Sequence, residues 1–434
     1  MSEPAAPTAA APAPGPGPEP EQPRPGRWAA LGRFAPTESA GSAILVTVLA
    51  FVTALAIGAL VIVFSDPDVL SKYGYFFARP SDALSASWNE ITATYGALFS
   101  GSLGSPSQIA HALASGDAAR IQQSFYPLSE TIVAATPLIF TGLAVALAFR
   151  AGMFNIGAEG QLFVGGLLAG LVGFAWHLPP GIHLVVALLA GLAGGALWGF
   201  VPGFLKARTG AHEVITTIMM NYIAISLSFY LLSSSLYRRP GRTDPISKIV
   251  DTNARLPHLA GANLRLHSGI ILAVLVTWAV AWLLKRSTIG FELRAVGLNP
   301  DAARTAGMNI GRTYILAMML AGALAGLGGA NQVLGVQYTL APGFSANLGF
   351  DAITLALLGR ANPWGVFAAA LLFGMLRAGA VQMQAATGTP VDMVVVIQAL
   401  IIVFVAAPAL VRAIYRIKVK DVSGTQPVSG GWGG

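Results

Sequence analysis

The sequence of 434 residues contains no cysteine, and charged side chains make up only 10% of it. Without cysteine there are no disulfides, thiolate zinc sites, iron–sulfur clusters or thiol nucleophiles, and the redox compartment stays undetermined. A soluble domain carries about 25% charged residues, whereas hydrophobic types reach 54% here and the mean hydropathy is +0.65. The composition therefore predicts a protein whose solvent is lipid.

Other absences narrow the function. The net charge is +7, but the basic residues lie in loops and ends and form no basic face, which excludes a nucleic-acid partner. No lysine follows a glycine, so the chain has no G-x-x-x-x-G-K phosphate loop. It also has no G-x-S-x-G or H-E-x-x-H motif, and its six histidines are scattered. These absences predict a protein that is not an enzyme and holds no metal.

The long apolar runs predict an all-α polytopic membrane protein. Residues 1–38 are rich in Pro and Ala and are expected to form a disordered tail. Residues 39–412 are expected to form the transmembrane domain, and 413–434 a second flexible tail. A helix needs roughly 20 apolar residues to cross a bilayer. This rule gives ten spans, of which 161–178 and 343–359 are the weakest, so nine remain an alternative: 42–65, 127–149, 161–178, 182–205, 214–233, 268–284, 313–336, 343–359, 363–380 and 391–411.

The distribution of Lys and Arg predicts the orientation. Placing both termini in the cytoplasm puts most basic residues on the inner side and leaves the short outer loops without any. The outer side then carries two long segments, 66–126 and 234–267, and the inner side a loop at 285–312. Five spans in each half give the halves opposite orientations, which is the topology of an inverted repeat with a substrate path between the halves.

Two polar stretches interrupt the spans. The stretch 149–161 contains Asn155, Glu159 and three glycines, and it is either a broken helix at a gate or, by about two to one, a tight turn. Farther along, Glu213 stands at the start of a helix, where a carboxylate meets the positive end of the helix dipole. Thr217 and Asn221 share one face of that helix, and helix packing and substrate contact are equally good interpretations.

The inner loop 285–312 contains a short helix. Asn299 is a good N-cap, Pro300 suits the first turn and Gly307 can end the helix in a left-handed conformation. The small residues between them specify about two turns. Because a helix this short is marginal alone, it is expected to dock on another protein.

In combination, the stretches 149–161, 210–224, 290–307 and 359–365 resemble the permease subunits of bacterial ATP-binding-cassette (ABC) importers for nucleosides and simple sugars. The similarity covers roughly residues 40–412, and nucleoside permeases are the most similar. It implies the ABC-importer permease fold in a bacterial plasma membrane. It also implies a partner ATPase holding ATP and Mg²⁺, an extracytoplasmic substrate-binding protein and a second permease, with the enlarged segment 66–126 resembling one member of a heterodimer.

The resemblance also assigns roles to residues. For the function, two alternatives to a nucleoside permease stay open. They are a ribose-like sugar permease and, less well supported, a secondary transporter driven by an ion gradient. The residues expected to couple to the ATPase are Glu292, Arg294, Gly297, Asn299, Pro300, Ala302, Ala303, Ala306 and Gly307. Because irregular backbone at membrane depth lines a wet cavity or is buried in protein, the candidate path residues are Asn155, Asn221 and Asp351. The candidate structural or gate residues are Gly152, Gly157, Glu159, Gly160 and Glu213.

Overall fold

The computed structural model describes residues 40–261 and 263–416. The expectation for residues 1–38 therefore lies outside the described residues, as does most of the expected tail 413–434. The helices of the described residues are α1 (Ala40–Ser65), α2 (Pro67–Tyr73), α3 (Pro80–Leu103), α4 (Pro106–Ser115), α5 (Ala118–Arg150), α6 (Ala158–Ala175), α7 (Ile182–Thr209), α8 (Glu213–Ser233), α9 (Gly269–Arg286), α10 (Thr288–Leu298), α11 (Pro300–Thr305), α12 (Ile310–Asn331), α13 (Leu348–Leu358), α14 (Pro363–Thr387), α15 (Asp392–Ala406) and α16 (Pro408–Tyr415). A short 3₁₀ turn covers Thr252–Ala254, and a π-helical turn, Gln332–Gln337, continues α12.

Within the described residues, eight helices are long and apolar enough to cross a membrane. They are α1, α5, α6, α7, α8, α9, α12 with its π turn, and α14. Helices α15 and α16 make a ninth span if they are counted together, although they are bent by 86° at Ala407. The segment predicted as a span at 343–359 contains only α13, whose 11 residues reach about 16 Å, half of the hydrocarbon core. The all-α, polytopic architecture expected from the sequence is confirmed.

The order of elements repeats between the halves of the chain. In each half a long helix (α5 or α12) is followed by a shorter one (α6 or α13) and then by a long one (α7 or α14). Helix α12 packs along α7, and α5 packs along α14, so each half contributes equivalent partners to the centre of the bundle. The first turns of α6 and α13 touch, because a Cβ atom added at Gly349 would lie 2.2 Å from the backbone nitrogen of Glu159. This arrangement fits the inverted repeat inferred from the span count.

Small residues allow α7 and α12 to pack closely. A Cβ atom at Gly195 would lie 2.1 Å from the carbonyl oxygen of Gly322, and one at Gly326 would lie 2.3 Å from that of Gly191. Side chains at these positions would push the two backbones apart. The glycine pairs in α7 and α12 therefore hold the two halves together.

Three segments are more helical than the sequence interpretation allowed. The outer segment 66–126 folds into α2, α3, α4 and the start of α5, and α16 continues three residues into the expected tail. The inner loop 285–312 contains α10 as well as the expected α11. Ser287 caps α10 by accepting a hydrogen bond from Gly290 N (2.9 Å), and Leu293 and Val296 are buried against the bundle. The sequence interpretation missed α10 because its glycines and charges were taken as loop residues.

Candidate translocation path and coupling face

The side of the molecule that holds residues 66–126 and 234–267 is called the outer side below, after the sequence prediction. On the opposite, inner side, α5 ends at Arg150 and α6 begins at Ala158, and a tight turn joins them. Gly152 adopts the left-handed conformation that this turn requires (φ +71°). The Arg150 side chain donates a hydrogen bond from Nε to the carbonyl oxygen of Ala361 (2.9 Å), which ties the end of α5 to the turn before α14.

The buried side chain of Asn155 holds this turn together through hydrogen bonds. Its side-chain oxygen accepts hydrogen bonds from Gly157 N (3.0 Å) and Gln161 Nε2 (3.2 Å), while its amide nitrogen donates to Gln161 Oε1 (2.9 Å). Both amide side chains are buried. The geometry is that of a tight turn whose polar side chains satisfy local groups, the interpretation that the sequence already favoured.

Asn221 of α8 holds the same turn from the other side. Its side-chain oxygen accepts from Gly160 N (2.8 Å), and its amide nitrogen donates to Ile156 O (2.9 Å). Thr217, one turn earlier, lies against Gly157. Because Gly157 and Gly160 face α8 without side chains, the two helices approach closely enough for these bonds. The shared face of Thr217 and Asn221 therefore packs on protein.

Glu159 and Glu213 both act at helix starts. The buried Glu159 carboxylate accepts hydrogen bonds from Ser345 Oγ and from Gly349 N (2.7 Å for the latter), so it links the first turn of α6 to that of α13. Glu213 begins α8, as predicted, and pairs with Lys206 Nζ at the end of α7 (2.8 Å). Each carboxylate joins two helices at a point where the chain reverses.

Asp351 lies in the first turn of α13 and forms an ion pair with Arg377 of α14. Both side chains are about one quarter exposed, and Arg377 also donates to the carbonyl oxygen of Ala346 (3.3 Å). A charged side chain in the middle of a membrane span is a marker of function. The sequence analysis selected Asp351 but missed Arg377, although an arginine within a predicted span was a signal that it could have used.

Helix α11, which the sequence predicts to couple to an ATPase, has the predicted form. The Asn299 side chain accepts hydrogen bonds from Asp301 N and Ala302 N (3.1 Å each), and Gly307 is left-handed (φ +85°). Ala302 and Ala306 are exposed, whereas Ala303 is buried. Helix α11 therefore presents a surface of small side chains.

The other predicted coupling residues lie beside α11 on α10. Arg294 donates back to the carbonyl oxygen of Gly290 (3.2 Å), and Glu292 is half-buried. Gly297 lies against the α5–α6 turn, because an added Cβ atom would come 2.3 Å from Arg150 O. The next residue, Leu298, is 88% exposed. Helix α10 therefore touches the turn that Asn155 closes and leads directly into α11.

Two adjoining cavities have Arg265 of the outer segment 234–267 in their walls. The larger, of about 920 Å³, lies between α3, α5 and α14 and is called the vestibule. The smaller, of about 190 Å³, is called the inner chamber and lies between α5, the π turn, the start of α13 and α14. Gln332 and Arg377 line the inner chamber, whose walls thus come from both halves of the chain, and Asn155 and Asn221 line neither cavity.

Pro137 gives the chamber a further polar group. Proline has no backbone N–H, so it cannot bond to the carbonyl oxygen of Val133 four residues earlier. Both residues line the inner chamber. A freed carbonyl at membrane depth needs a partner in protein or in a water-filled space, and the chamber provides that space.

The arrangement of helices and cavities is suited to transport. The described residues contain no group of side chains arranged for catalysis. No group of three His, Asp or Glu side chains in residues 40–261 and 263–416 could hold a metal ion. Apolar helices long enough to span a membrane, the irregular backbone between them and cavities beside the outer segments define the class. The chain is a multi-pass membrane permease.

The comparisons with known proteins give the family. Residues 128–406 match the family described as the branched-chain amino acid transport system permease component, and the chain belongs to this family. The guanosine ABC transporter permease protein NupP of Bacillus subtilis (strain 168) is 39% identical over 372 residues, which are 86% of this chain and 95% of the relative. The chain is therefore a permease subunit of an ABC transporter and not itself an enzyme.

Two further relatives differ in the substrates that their names give. The glucose ABC transporter permease protein TsgB13 of Haloferax volcanii is 36% identical over 303 residues, 68% of this chain and 79% of the relative. The guanosine ABC transporter permease protein NupQ of Bacillus subtilis (strain 168) is 26% identical over 252 residues, 56% of this chain and 78% of the relative. No solved structure matches the chain.

Proposed function

We propose that the chain is a permease subunit of an ABC importer for nucleosides. The observation that carries the proposal is the 39% identity to a guanosine permease over 86% of the chain. A simple sugar is the second candidate, because a glucose permease is 36% identical over 68% of the chain. Within the proposal, the bacterial plasma membrane holds the protein with both termini in the cytoplasm.

The proposed partners follow from the two faces. An ABC ATPase, which binds ATP and Mg²⁺, docks on the inner face at α11 and at the exposed Leu298 before it. An extracytoplasmic binding protein delivers substrate to the vestibule. A second, different permease completes the pore, and the two guanosine permeases of one Bacillus subtilis strain, NupP and NupQ, support a heterodimer.

The proposed path begins in the vestibule and passes through the inner chamber to the start of α13. Asp351 and Arg377 lie at that level, where the segment 343–351 lines the chamber through Ala346 and Leu348. Asn155 and Asn221 lie nearer the inner side and form hydrogen bonds within the α5–α6 turn. We expect them to reach the path only when α10 pulls this turn open.

Cysteine labelling tests the path, because the chain has no native cysteine. In the complete transporter, Asp351→Cys is expected to react with a small water-soluble thiol reagent at rest. Asn155→Cys and Asn221→Cys are expected to react only during ATP turnover. Labelling of none of the three in any state, with transport intact, contradicts this path.

A substrate comparison tests the nucleoside proposal. The chain is purified with the partners that accompany it, and uptake of radiolabelled guanosine is measured against unlabelled nucleosides, ribose and glucose. Competition by other nucleosides but not by either sugar is the expected result. Competition by glucose alone supports the sugar permease instead.

A further inference from the structure

One ion pair stands between the vestibule and the inner chamber. Glu130 of α5 accepts a hydrogen bond from Arg265 Nη1 (2.9 Å), and both residues line both cavities. Arg265 belongs to the outer segment 234–267, whereas Glu130 lies about one turn inside the predicted span 127–149. The two cavities therefore meet at this pair, and a solute that moves from the vestibule into the inner chamber at this point passes beside it.

The ion pair between Glu130 and Arg265 can be separated at little cost in free energy. The Arg265 and Glu130 side chains are 48% and 22% exposed, and a partly exposed ion pair contributes little free energy. Rotation of the Arg265 side chain into the vestibule would separate the charges without disturbing α5. The barrier is thus a side-chain contact and not a packed helix interface such as that between α7 and α12.

One carboxylate oxygen of Glu130 is available as a hydrogen-bond acceptor for an incoming solute. Its Oε2 atom is bonded to Arg265, whereas its Oε1 atom is buried and has no hydrogen-bond partner among the described residues. A buried carboxylate oxygen without a partner is costly, so a ligand hydroxyl that reaches it once the pair has opened is favoured as its donor. The charge of Arg377 is already balanced by Asp351, and the chamber therefore favours a neutral solute that carries hydroxyl groups.

We propose that the Glu130–Arg265 pair is the outer gate of the path, and that Glu130 Oε1 receives a sugar hydroxyl of the incoming nucleoside. The proposal rests on the proposed function for the identity of the solute, but the gate itself does not depend on it. Opening requires only that the Arg265 side chain turn away from Glu130, a movement that a binding protein docked on the outer side can drive.

A cross-linking pair tests the gate. Glu130→Cys/Arg265→Cys in the complete transporter is treated with a bifunctional, reducible thiol reagent. The matched control is Gln122→Cys/Asn263→Cys, which joins the same two elements two turns farther out, where Asn263 Nδ2 donates to Gln122 Oε1 (3.2 Å). Cross-linking the gate pair is expected to abolish uptake until reductant is added, whereas the control pair keeps at least half of its uptake. Equal effects in both pairs would overturn the gate.

A second measurement needs neither substrate nor transport. Gln332→Cys places a thiol in the inner chamber, and a membrane-impermeant thiol reagent is applied from outside. Adding Glu130→Gln is expected to raise the labelling rate about fivefold, the loss expected for one partly exposed ion pair, whereas Gln122→Ala leaves it unchanged. An unchanged rate with Glu130→Gln contradicts the gate, even if guanosine uptake is established. Conversely, a raised rate supports the gate even if the substrate proves to be a sugar.

Discussion

The contact between α10 and the α5–α6 turn predicts a strong effect of Gly297→Ala. The added Cβ atom would lie 2.3 Å from Arg150 O, 2.8 Å from Gly152 N and 2.9 Å from Ala151 C, and all three neighbours are backbone atoms. Ordinary contacts begin at 3.4 Å, so the overlap is about 1 Å and no side chain can rotate away from it. Overpacking of this kind costs about 1–3 kcal/mol. The overlap is relieved when α10 moves off the turn and carries α11 with it.

Gly297→Ala is therefore expected to lower both stability and coupling. Thermal unfolding in detergent, followed by the fluorescence of the eight tryptophans, measures the first effect. Stimulation of ATPase activity by the loaded binding protein measures the second. The matched control is Gly311→Ala in α12, where the nearest atom to an added Cβ lies 3.5 Å away and little change is expected. A Gly297→Ala protein that unfolds and couples like Gly311→Ala refutes the reasoning.

The remaining predictions concern α11, an outer histidine and the N-terminal tail. Ala302→Arg or Ala306→Arg, on exposed positions, is expected to abolish ATP-coupled uptake while the protein stays inserted, and normal coupling in either variant refutes the docking role of α11. Burial lowers the pKa of His267 to about 4, and its Nδ1 accepts from Gly269 N (3.1 Å). The unfolded chain, with an ordinary histidine pKa near 6.5, takes up this proton first, so stability is full above pH 6.5 and falls by up to about 3 kcal/mol as the pH drops toward 4. This fall, measured by thermal unfolding, should be smaller in His267→Gln; an equal fall means that other groups cause it. Deleting residues 2–34 should leave uptake near wild type, and loss of insertion would show that the tail is needed.

Much of the fold was predictable from the sequence because lipid imposes simple rules. Apolar length alone located every span found in the described residues. Local capping chemistry predicted α11, since Asn299 and Gly307 act on neighbouring residues. The length of helix α13 was harder to predict. The apolar stretch 343–359 looks like a span, although its first residues form irregular turns.

The site was less predictable, because its contacts join residues that are distant in the chain. The Glu130–Arg265 pair and the Glu159–Ser345 bond are separated by 135 and 186 residues. No local sequence pattern indicates which distant residues will pair. The burial of Asn221 could not be predicted either, since a polar helix face can point toward protein or toward water with equal plausibility. Arg377 and Glu130 were visible as charges within predicted spans, and that signal was overlooked.

The central claim is that this chain moves nucleosides only when a separate ATPase hydrolyses ATP. The most direct test is guanosine uptake into proteoliposomes that contain the complete transporter, with its binding protein outside and ATP inside. Uptake is expected to stop when ATP is replaced by a non-hydrolysable analogue and not to respond to an imposed proton or sodium gradient. Uptake driven by either gradient without ATP would contradict it.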